Sequence, residues 1–227
     1  GNQTWYGSHI LAALLLVSNP TGQDENRHRC CTLELGAGTG QLALALASNG
    51  WRRIIATDGE PGVVRNLKRN VQANRLGHAV RCTRWNWEDD PPSGLDLEDV
   101  DLCVGSDLVY YDRSHDMLAK LLKSILTARS PSDARRKVRV LLLSTLRCAE
   151  RDSGGQVFHR PSSQGYLGSS LQQFIEHELP LEGIVAKQVP IPDNIFDNIP
   201  DAVAKAALET PDARACHVLH EMVCDVD

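Results

Sequence analysis

A glycine-rich segment is the part of the chain best suited to hold a ligand. It comprises residues 33–40, Leu-Glu-Leu-Gly-Ala-Gly-Thr-Gly, between a predicted buried strand at Cys30–Leu35 and a predicted helix at Gln41–Ser48. Glycines let a backbone approach a ligand closely and adopt turns that are closed to other residues. A ligand bound there would lie at the carboxyl end of the strand and beside the helix N-terminus. The segment therefore predicts a site for a nucleotide-like ligand.

Glu34 distinguishes between the ligands that such a turn could bind. The dinucleotide fingerprint reads Gly-x-Gly-x-x-Gly, whereas this segment reads Glu-x-Gly-x-Gly-x-Gly. A carboxylate is unfavourable beside a pyrophosphate because both groups are anionic. The ammonium of a methionyl group favours a carboxylate, directly or through water. The turn therefore predicts S-adenosylmethionine as the cofactor, with a dinucleotide as the alternative.

Asp58 is a candidate for the ribose of that cofactor. It follows a predicted strand at Arg53–Thr57, and it comes about twenty residues after the glycine turn, where a carboxylate can accept hydrogen bonds from both ribose hydroxyls. The structural alternative is an N-cap for the predicted helix from Pro61 to Leu76. Glu60 is a weaker candidate for the ribose.

Two tryptophans, Trp85 and Trp87, follow a third predicted strand at Val80–Arg84. One of the two indoles could lie against the adenine, since an aromatic face suits a purine. Core packing is the alternative for both side chains, and it is the better interpretation for Trp85.

A second motif follows the predicted strand at Val100–Gly105, where Ser106 and Asp107 precede Tyr110. Side chains at the carboxyl edge of the sheet face the cofactor, so Asp107 is predicted near the transferred methyl group. Its carboxylate could hold an ammonium, and the tyrosine ring could face the carbon stem or the cationic head. The Asn/Asp-Pro-Pro-Tyr motif of many amide and exocyclic-amine methyltransferases is not present here. The structural alternatives are a loop cap for Asp107 and a core aromatic for Tyr110.

The surrounding pattern predicts an α/β fold. Apolar runs alternate with helical patterns, which indicates βα units and a mainly parallel sheet in one domain over residues 1–227. The segment Glu150–Ser170, rich in Gly, Ser, Gln and Pro, is predicted to be a long loop. The further predicted strands are Val138–Ser144, Ile184–Val189 and His217–Val223, and the further helices are Ser8–Ser18, Ser114–Ala128, Leu171–Leu179 and Asp201–Glu209.

Composition bears on partners and location. The net charge of −5 and the pI near 5.9 argue against a nucleic-acid partner. The basic patch at residues 135–139 could still bind one, but a solvated approach to the next strand is the better interpretation of it. The seven cysteines are odd in number and include no Cys-x-x-Cys pair, which favours a reducing compartment. The longest apolar run, Ile10–Val17, has about half the ~20 residues that a membrane span needs. We therefore expect a cytoplasmic or nuclear protein with no membrane segment; no feature predicts an oligomeric state.

Taken together, these motifs resemble the protein lysine methyltransferases of the seven-β-strand class, methyltransferase family 16. The resemblance covers roughly residues 5–145. It rests on three pieces, which are Trp5-x-Gly7-Ser8, the glycine turn and Asp107-x-x-Tyr110; the segments Asn70 to Asn74 and Arg84 to Trp87 match as well. Ser106 departs from the family, which commonly has alanine there, and the last 60 residues fit loosely.

The resemblance implies a fold and a set of site residues. The fold is a Rossmann-like sheet of seven mostly parallel strands, with helices on both faces, an antiparallel last strand and a helix within residues 1–20 over the cofactor site. Asp107 and Tyr110 would contact the target lysine. The implied cofactor contacts are Trp5, Gly36, Ala37, Gly38, Asp58, Trp87 and Ser106.

The predicted function is S-adenosylmethionine-dependent methylation of a protein side chain, with lysine Nε of a non-histone protein as the expected target. Burial would favour the neutral amine that the transfer requires. No set of metal ligands is visible in the sequence, so no metal is expected. The alternatives are RNA, histidine or a small molecule as the acceptor, or a cofactor-binding scaffold without catalysis.

Overall fold

The structure, a computed structural model, describes residues 6–18, 28–109, 114–130, 137–151, 157–161, 169–199 and 201–224. The strands in these ranges are β1 (Cys31–Leu35), β2 (Arg53–Asp58), β3 (Val80–Arg84), β4 (Leu102–Ser106), β5 (Arg139–Thr145), β6 (Arg147–Arg151), β7 (Val157–Pro161), β8 (Ile184–Val189) and β9 (His217–Cys224). The helices are α1 (Tyr6–Ser18), α2 (Gln41–Ser48), α3 (Pro61–Ala73), α4 (His115–Thr127), α5 (Ser170–Gln173), α6 (Leu179–Leu181), α7 (Asp193–Asp197), α8 (Ala202–Ala207) and α9 (Pro211–Ala215).

Seven of the strands form one sheet in the order β3-β2-β1-β4-β5-β9-β8. Strands β1 to β5 pair in parallel, whereas β9 is antiparallel to both β5 and β8. This arrangement confirms the predicted fold class, including the antiparallel last strand. The chain runs from β1 outward to β3 and then returns to β4 on the other side of β1. The strand order therefore reverses between β1 and β4, where α/β sheets form a crevice at the carboxyl ends of their strands.

Apolar side chains cover both faces of this sheet. One cluster joins α1, α2 and α3 to the sheet through residues such as Leu11, Leu42 and Leu67. The other cluster includes Leu122 and Phe174 and packs α4 against the opposite face. All five residues of β1 are buried, as expected for a parallel strand covered on both faces. The two clusters hold the ends of β1 and β4 in fixed positions.

The prediction of an unbroken loop at Glu150–Ser170 is wrong. Strands β6 and β7 form a separate two-stranded antiparallel ribbon, with Arg147 opposite Pro161 and Arg151 opposite Val157. Such a ribbon is held by backbone hydrogen bonds, which need no alternation of apolar residues, so the polar composition of the segment conceals it. The ribbon begins directly after β5, at the edge of the sheet that carries the Asp107 motif.

Two helical predictions also need correction. The predicted helix Leu171–Leu179 is interrupted, because a π-helical turn at Phe174–Glu178 separates α5 from α6. The predicted helix Asp201–Glu209 is the shorter α8, capped by Asp201, whose carboxylate accepts a hydrogen bond from the Ala204 amide at 2.7 Å. Among the helices that the structure describes, none is both long and apolar enough to cross a membrane.

The packing of α3 beneath the glycine turn can be tested by truncating the side chain of Leu67. Its side chain is fully buried, whereas Leu181 is 80% exposed. Leu67→Ala should lower the free energy of unfolding by about 2–5 kcal/mol, because it removes buried methyl groups and leaves a cavity. The matched change Leu181→Ala should alter it by less than ~0.5 kcal/mol. Urea denaturation measures both values, and equal unfolding midpoints for the two variants would contradict this packing.

Candidate functional site

The glycine turn after β1 adopts a backbone conformation that requires its glycines. Gly36, Gly38 and Gly40 have φ values of 61°, 55° and 87°, in the left-handed region. Side chains other than glycine rarely adopt that region without strain. A Cβ atom at Gly36 would also collide with Leu108, and one at Gly40 would collide with Leu67. The turn is therefore fixed both by its dihedral angles and by the buried leucines around it.

Neighbouring elements hold this turn by three hydrogen bonds. The Ala37 amide donates to the Thr57 carbonyl at 2.8 Å, and the Gly38 amide donates to Asp58 Oδ2 at 3.1 Å. From α3, Asn70 Nδ2 donates to the Thr39 carbonyl at 2.8 Å. The sequence marks Asn70 only as part of a matching motif and predicts no contact for it. Its place three residues after Leu67, on the same helix face, is the signal that could have identified it.

Asp58 lies at the tip of β2 and orients the turn. Its second carboxylate oxygen, Oδ1, accepts a hydrogen bond from the Glu60 amide at 3.0 Å. The N-cap of α3 is Glu60, whose side chain accepts a hydrogen bond from the Gly62 amide. The interpretation of Asp58 as the N-cap of this helix is therefore wrong. Glu60 is engaged at the cap, and the ribose contact of Asp58 stays a prediction.

Glu34 is buried beneath the turn and only 5% exposed. Its Oε2 accepts a hydrogen bond from the Ala43 amide, in the first turn of α2, at 3.1 Å. Burial raises the pKa of Glu34 to about 8, although the hydrogen bond from Ala43 opposes this shift. The carboxyl group is therefore largely protonated at neutral pH. Its contact with a methionyl ammonium stays a prediction.

The two tryptophans after β3 occupy different environments. Trp85 is 2% exposed and belongs to the cluster that includes Phe174, and its Nε1 donates to the Asp89 carbonyl at 3.1 Å. Core packing is therefore confirmed for Trp85. Trp87 is partly exposed and packs against the edge of the same cluster, and its cofactor contact stays a prediction.

Asp107 joins the end of β4 to the end of β5. Its carboxylate accepts hydrogen bonds from the Thr145 amide at 2.8 Å and from the Thr145 hydroxyl at 3.2 Å. Arg147 Nη2 lies 3.4 Å from Oδ1 in an ion pair. The residue has a φ of 54°, a conformation that costs a residue with a side chain about 1–2 kcal/mol. Asp107 thus anchors the end of β4 to the end of β5. Its contact with a target amine stays a prediction.

The first turn of α1 passes over the end of β4. A Cβ atom at Gly7 would lie 2.5 Å from Ser106 Oγ and 2.9 Å from Asp107 Oδ2, so only a glycine fits there. Ser106 Oγ is buried and has no hydrogen-bond partner in the described part of the chain. Trp5 and Tyr110, predicted to complete the site, lie outside the described residues. Within the described ranges, no group of His, Cys, Asp and Glu side chains is arranged to hold a metal ion.

Comparison with known sequences places the chain in a protein family. A family model described as lysine methyltransferase matches residues 1–141. The calmodulin-lysine N-methyltransferase of Arabidopsis thaliana is 31% identical over 106 residues, which cover 45% of this chain and 34% of that protein. The protein N-terminal and lysine N-methyltransferase EFM7 of Cryptococcus neoformans is 33% identical over 141 residues, covering 57% and 44%. The chain thus spans less than half the length of these relatives.

Solved structures share the fold at low sequence identity. The CcbJ methyltransferase of Streptomyces caelestis has a TM-score of 0.59 at 12% identity, over 100% of this chain and 93% of that one. The glycopeptide N-methyltransferase MtfA, solved with S-adenosylhomocysteine, has a TM-score of 0.54 at 14% identity, over 95% and 86%. These likenesses show the Rossmann-like fold that this chain has in common with methyltransferases.

The buried Glu34 carboxyl group predicts a pH dependence of stability. The pKa of Glu34 is raised from its ordinary value of 4.5 to about 8 in the folded protein. Its contribution to the free energy of unfolding is therefore fully present below pH 4.5 and is lost as the pH rises through 8. Glu34→Gln keeps an acceptor for Ala43 but does not titrate. Above pH 4.5, the parent should therefore lose stability relative to this variant, by up to roughly 1.4 kcal/mol per pH unit. Urea denaturation at pH 5.5, 7.0 and 8.5 measures the difference, and a constant difference would contradict the burial of Glu34.

Proposed function

The chain belongs to the lysine methyltransferase family, and we propose that it transfers a methyl group from S-adenosylmethionine to a lysine Nε of a non-histone protein. The observation that carries this proposal is that the glycine turn, Asp58 and Asp107 stand at the carboxyl ends of the neighbouring parallel strands β1, β2 and β4, beside the reversal of the strand order. The match of the family model to residues 1–141 includes all three. Calmodulin, named for one relative, is an example of such a substrate class.

The residues of the crevice fit the proposed cofactor. The three glycines of the turn carry no side chains, so a ligand can approach their backbone closely. Asp58 is held by the Gly38 and Glu60 amides in a part-exposed position, where it can accept from ribose hydroxyls. Ser106 supplies a buried hydroxyl with no partner in the described residues. S-adenosylmethionine, when bound, supplies a methyl group activated by a positively charged sulfur.

Asp107 would accept a hydrogen bond from the target amine. Its carboxylate already accepts from Thr145 and Arg147, and a carboxylate has about four acceptor positions. One position therefore remains for an N–H of the substrate. An amine held this way has its lone pair free for attack, provided that it is neutral. Free lysine has a pKa of about 10.4, so the site must favour deprotonation through burial.

We also propose a cytoplasmic or nuclear location. Cys30, Cys31, Cys82, Cys103, Cys216 and Cys224 are free thiols, as is usual in a reducing compartment. A cell-fractionation experiment with the untagged protein tests this location.

The cofactor assignment predicts a specific effect of Asp58→Ala. The change removes the acceptor for the Gly38 amide and for the ribose, so S-adenosylmethionine affinity should fall by roughly 10- to 100-fold, the scale of hydrogen bonds to a charged group. Asp96→Ala is the matched control, because Asp96 accepts from the Glu98 amide at 3.0 Å in the same way, far from the crevice. Isothermal calorimetry measures both affinities. Equal affinities would argue against the crevice as the cofactor site.

The lysine assignment predicts the effect of Asp107→Asn. This change keeps the size of the side chain, so cofactor affinity should stay near the parental value while turnover falls by about 10²-fold, the scale of a misoriented reactant. Asp116→Asn removes an exposed, Lys120-paired carboxylate on α4 and should leave turnover unchanged. The assay is transfer of labelled methyl groups to lysate proteins with and without nuclease, followed by mass spectrometry. Parental turnover in Asp107→Asn, or label confined to RNA, would overturn the proposal.

A further inference from the structure

Arg147 is the residue that determines the net charge beside the proposed amine position. It begins β6, and its guanidinium lies 3.4 Å from the nearly buried carboxylate of Asp107. The Arg147 side chain is 23% exposed and that of Asp107 is 5% exposed, so solvent screens the pair only partly. Arginine remains protonated throughout the physiological range. The two side chains therefore form a neutral pair that still offers a carboxylate oxygen as an acceptor.

The other described groups around Asp107 do not replace this charge. His217, opposite Thr145 in β9, has a pKa that is lowered by burial, and its Nδ1 lies 3.0 Å from the Ala213 carbonyl. On α1, Gly7 faces Asp107 Oδ2, while the pKa of His9 is lowered by burial and its charged neighbour is Asp201. Burial therefore disfavours the charged form of both histidines. Among the described residues, Arg147 is the cation paired with Asp107.

A carboxylate without this partner would oppose the reaction that it serves. An opposite charge within ~4–6 Å favours the charged form of a titrating group and shifts its pKa by about 1–3 units. A lone Asp107 would thus stabilise the ammonium form of the target lysine, which cannot attack. The Arg147 guanidinium cancels most of that effect and leaves Asp107 to orient the amine.

We propose that Arg147 is a positioning residue that neutralises Asp107, so that the site binds the target lysine as a neutral amine. This inference rests on the proposed function. It differs from an anchoring role for Arg147 in one measurable respect: the charge of residue 147 should set the pH at which turnover begins to rise. An anchoring role alone would change turnover by the same factor at every pH.

The test is the pH dependence of methyl transfer to the lysate protein that the parent labels most strongly. Arg147→Gln should move the rising limb of the turnover profile to higher pH by about one unit, which is a tenfold loss on that limb. Asp107→Asn, although slower, should move the limb to lower pH. The double variant Asp107→Asn/Arg147→Gln leaves no uncompensated charge, so its limb should return to the parental position. Arg147→Lys keeps the charge and should also retain the parental limb.

Controls separate this inference from the function on which it rests. Arg139→Gln breaks a 2.8 Å ion pair between Arg139 of β5 and Glu221 of β9. This change should leave the pH profile of turnover unchanged. Calorimetry with S-adenosylmethionine verifies that each variant is folded. If the parent labels protein but the limb of Arg147→Gln does not move, or the limbs of both single variants move in one direction, the inference about Arg147 is overturned alone. If the parent labels no protein, the proposed function is overturned and the inference with it.

Discussion

The hydrogen bonds between the glycine turn and the end of β2 are the constraint on which the site depends. The Ala37 and Gly38 amides are bound to Thr57 and Asp58, so the loop cannot move without breaking its hydrogen bonds to the end of β2. The same carboxylate that fixes the loop is the candidate for the ribose. The proposed ribose contact and the geometry of the loop thus depend on one side chain, and the buried clusters on both faces hold the strand that carries it.

The carboxyl side chains of the crevice lie in three electrostatic environments. Asp58 is part-exposed and accepts only backbone amides in the described structure, which keeps it available to a ligand. Glu34 is buried, no cation of the described residues pairs with it, and its raised pKa follows from that burial. Asp107 is buried beside an arginine. The three acidic residues are therefore not interchangeable, because each differs from the others in its burial and in the groups beside it.

Local sequence predicts some of these features and leaves others hidden. The strand, glycine turn and helix at residues 31–48 follow directly from the apolar run and the three glycines, and the burial of Trp85 was also expected. The ribbon of β6 and β7 was missed because backbone pairing leaves no periodic signal. The Arg147 contact was missed for a related reason: it joins residues 40 positions apart through that ribbon. The N-cap of α3 was assigned to Asp58 as an alternative, but the proline at the first helical position makes Glu60 the preceding residue and hence the cap.

The ribbon has a consequence for how proteins of this architecture can diverge. Its strands pair with each other and not with the main sheet, so the backbone ladder of the main sheet does not depend on the ribbon. Arg147 nevertheless connects the two, since it is paired with Asp107 at the rim of the crevice. The ribbon can therefore change while the main sheet keeps its strand register. The two sheets can then diverge as separate units, with the contact of Arg147 and Asp107 as a link between them.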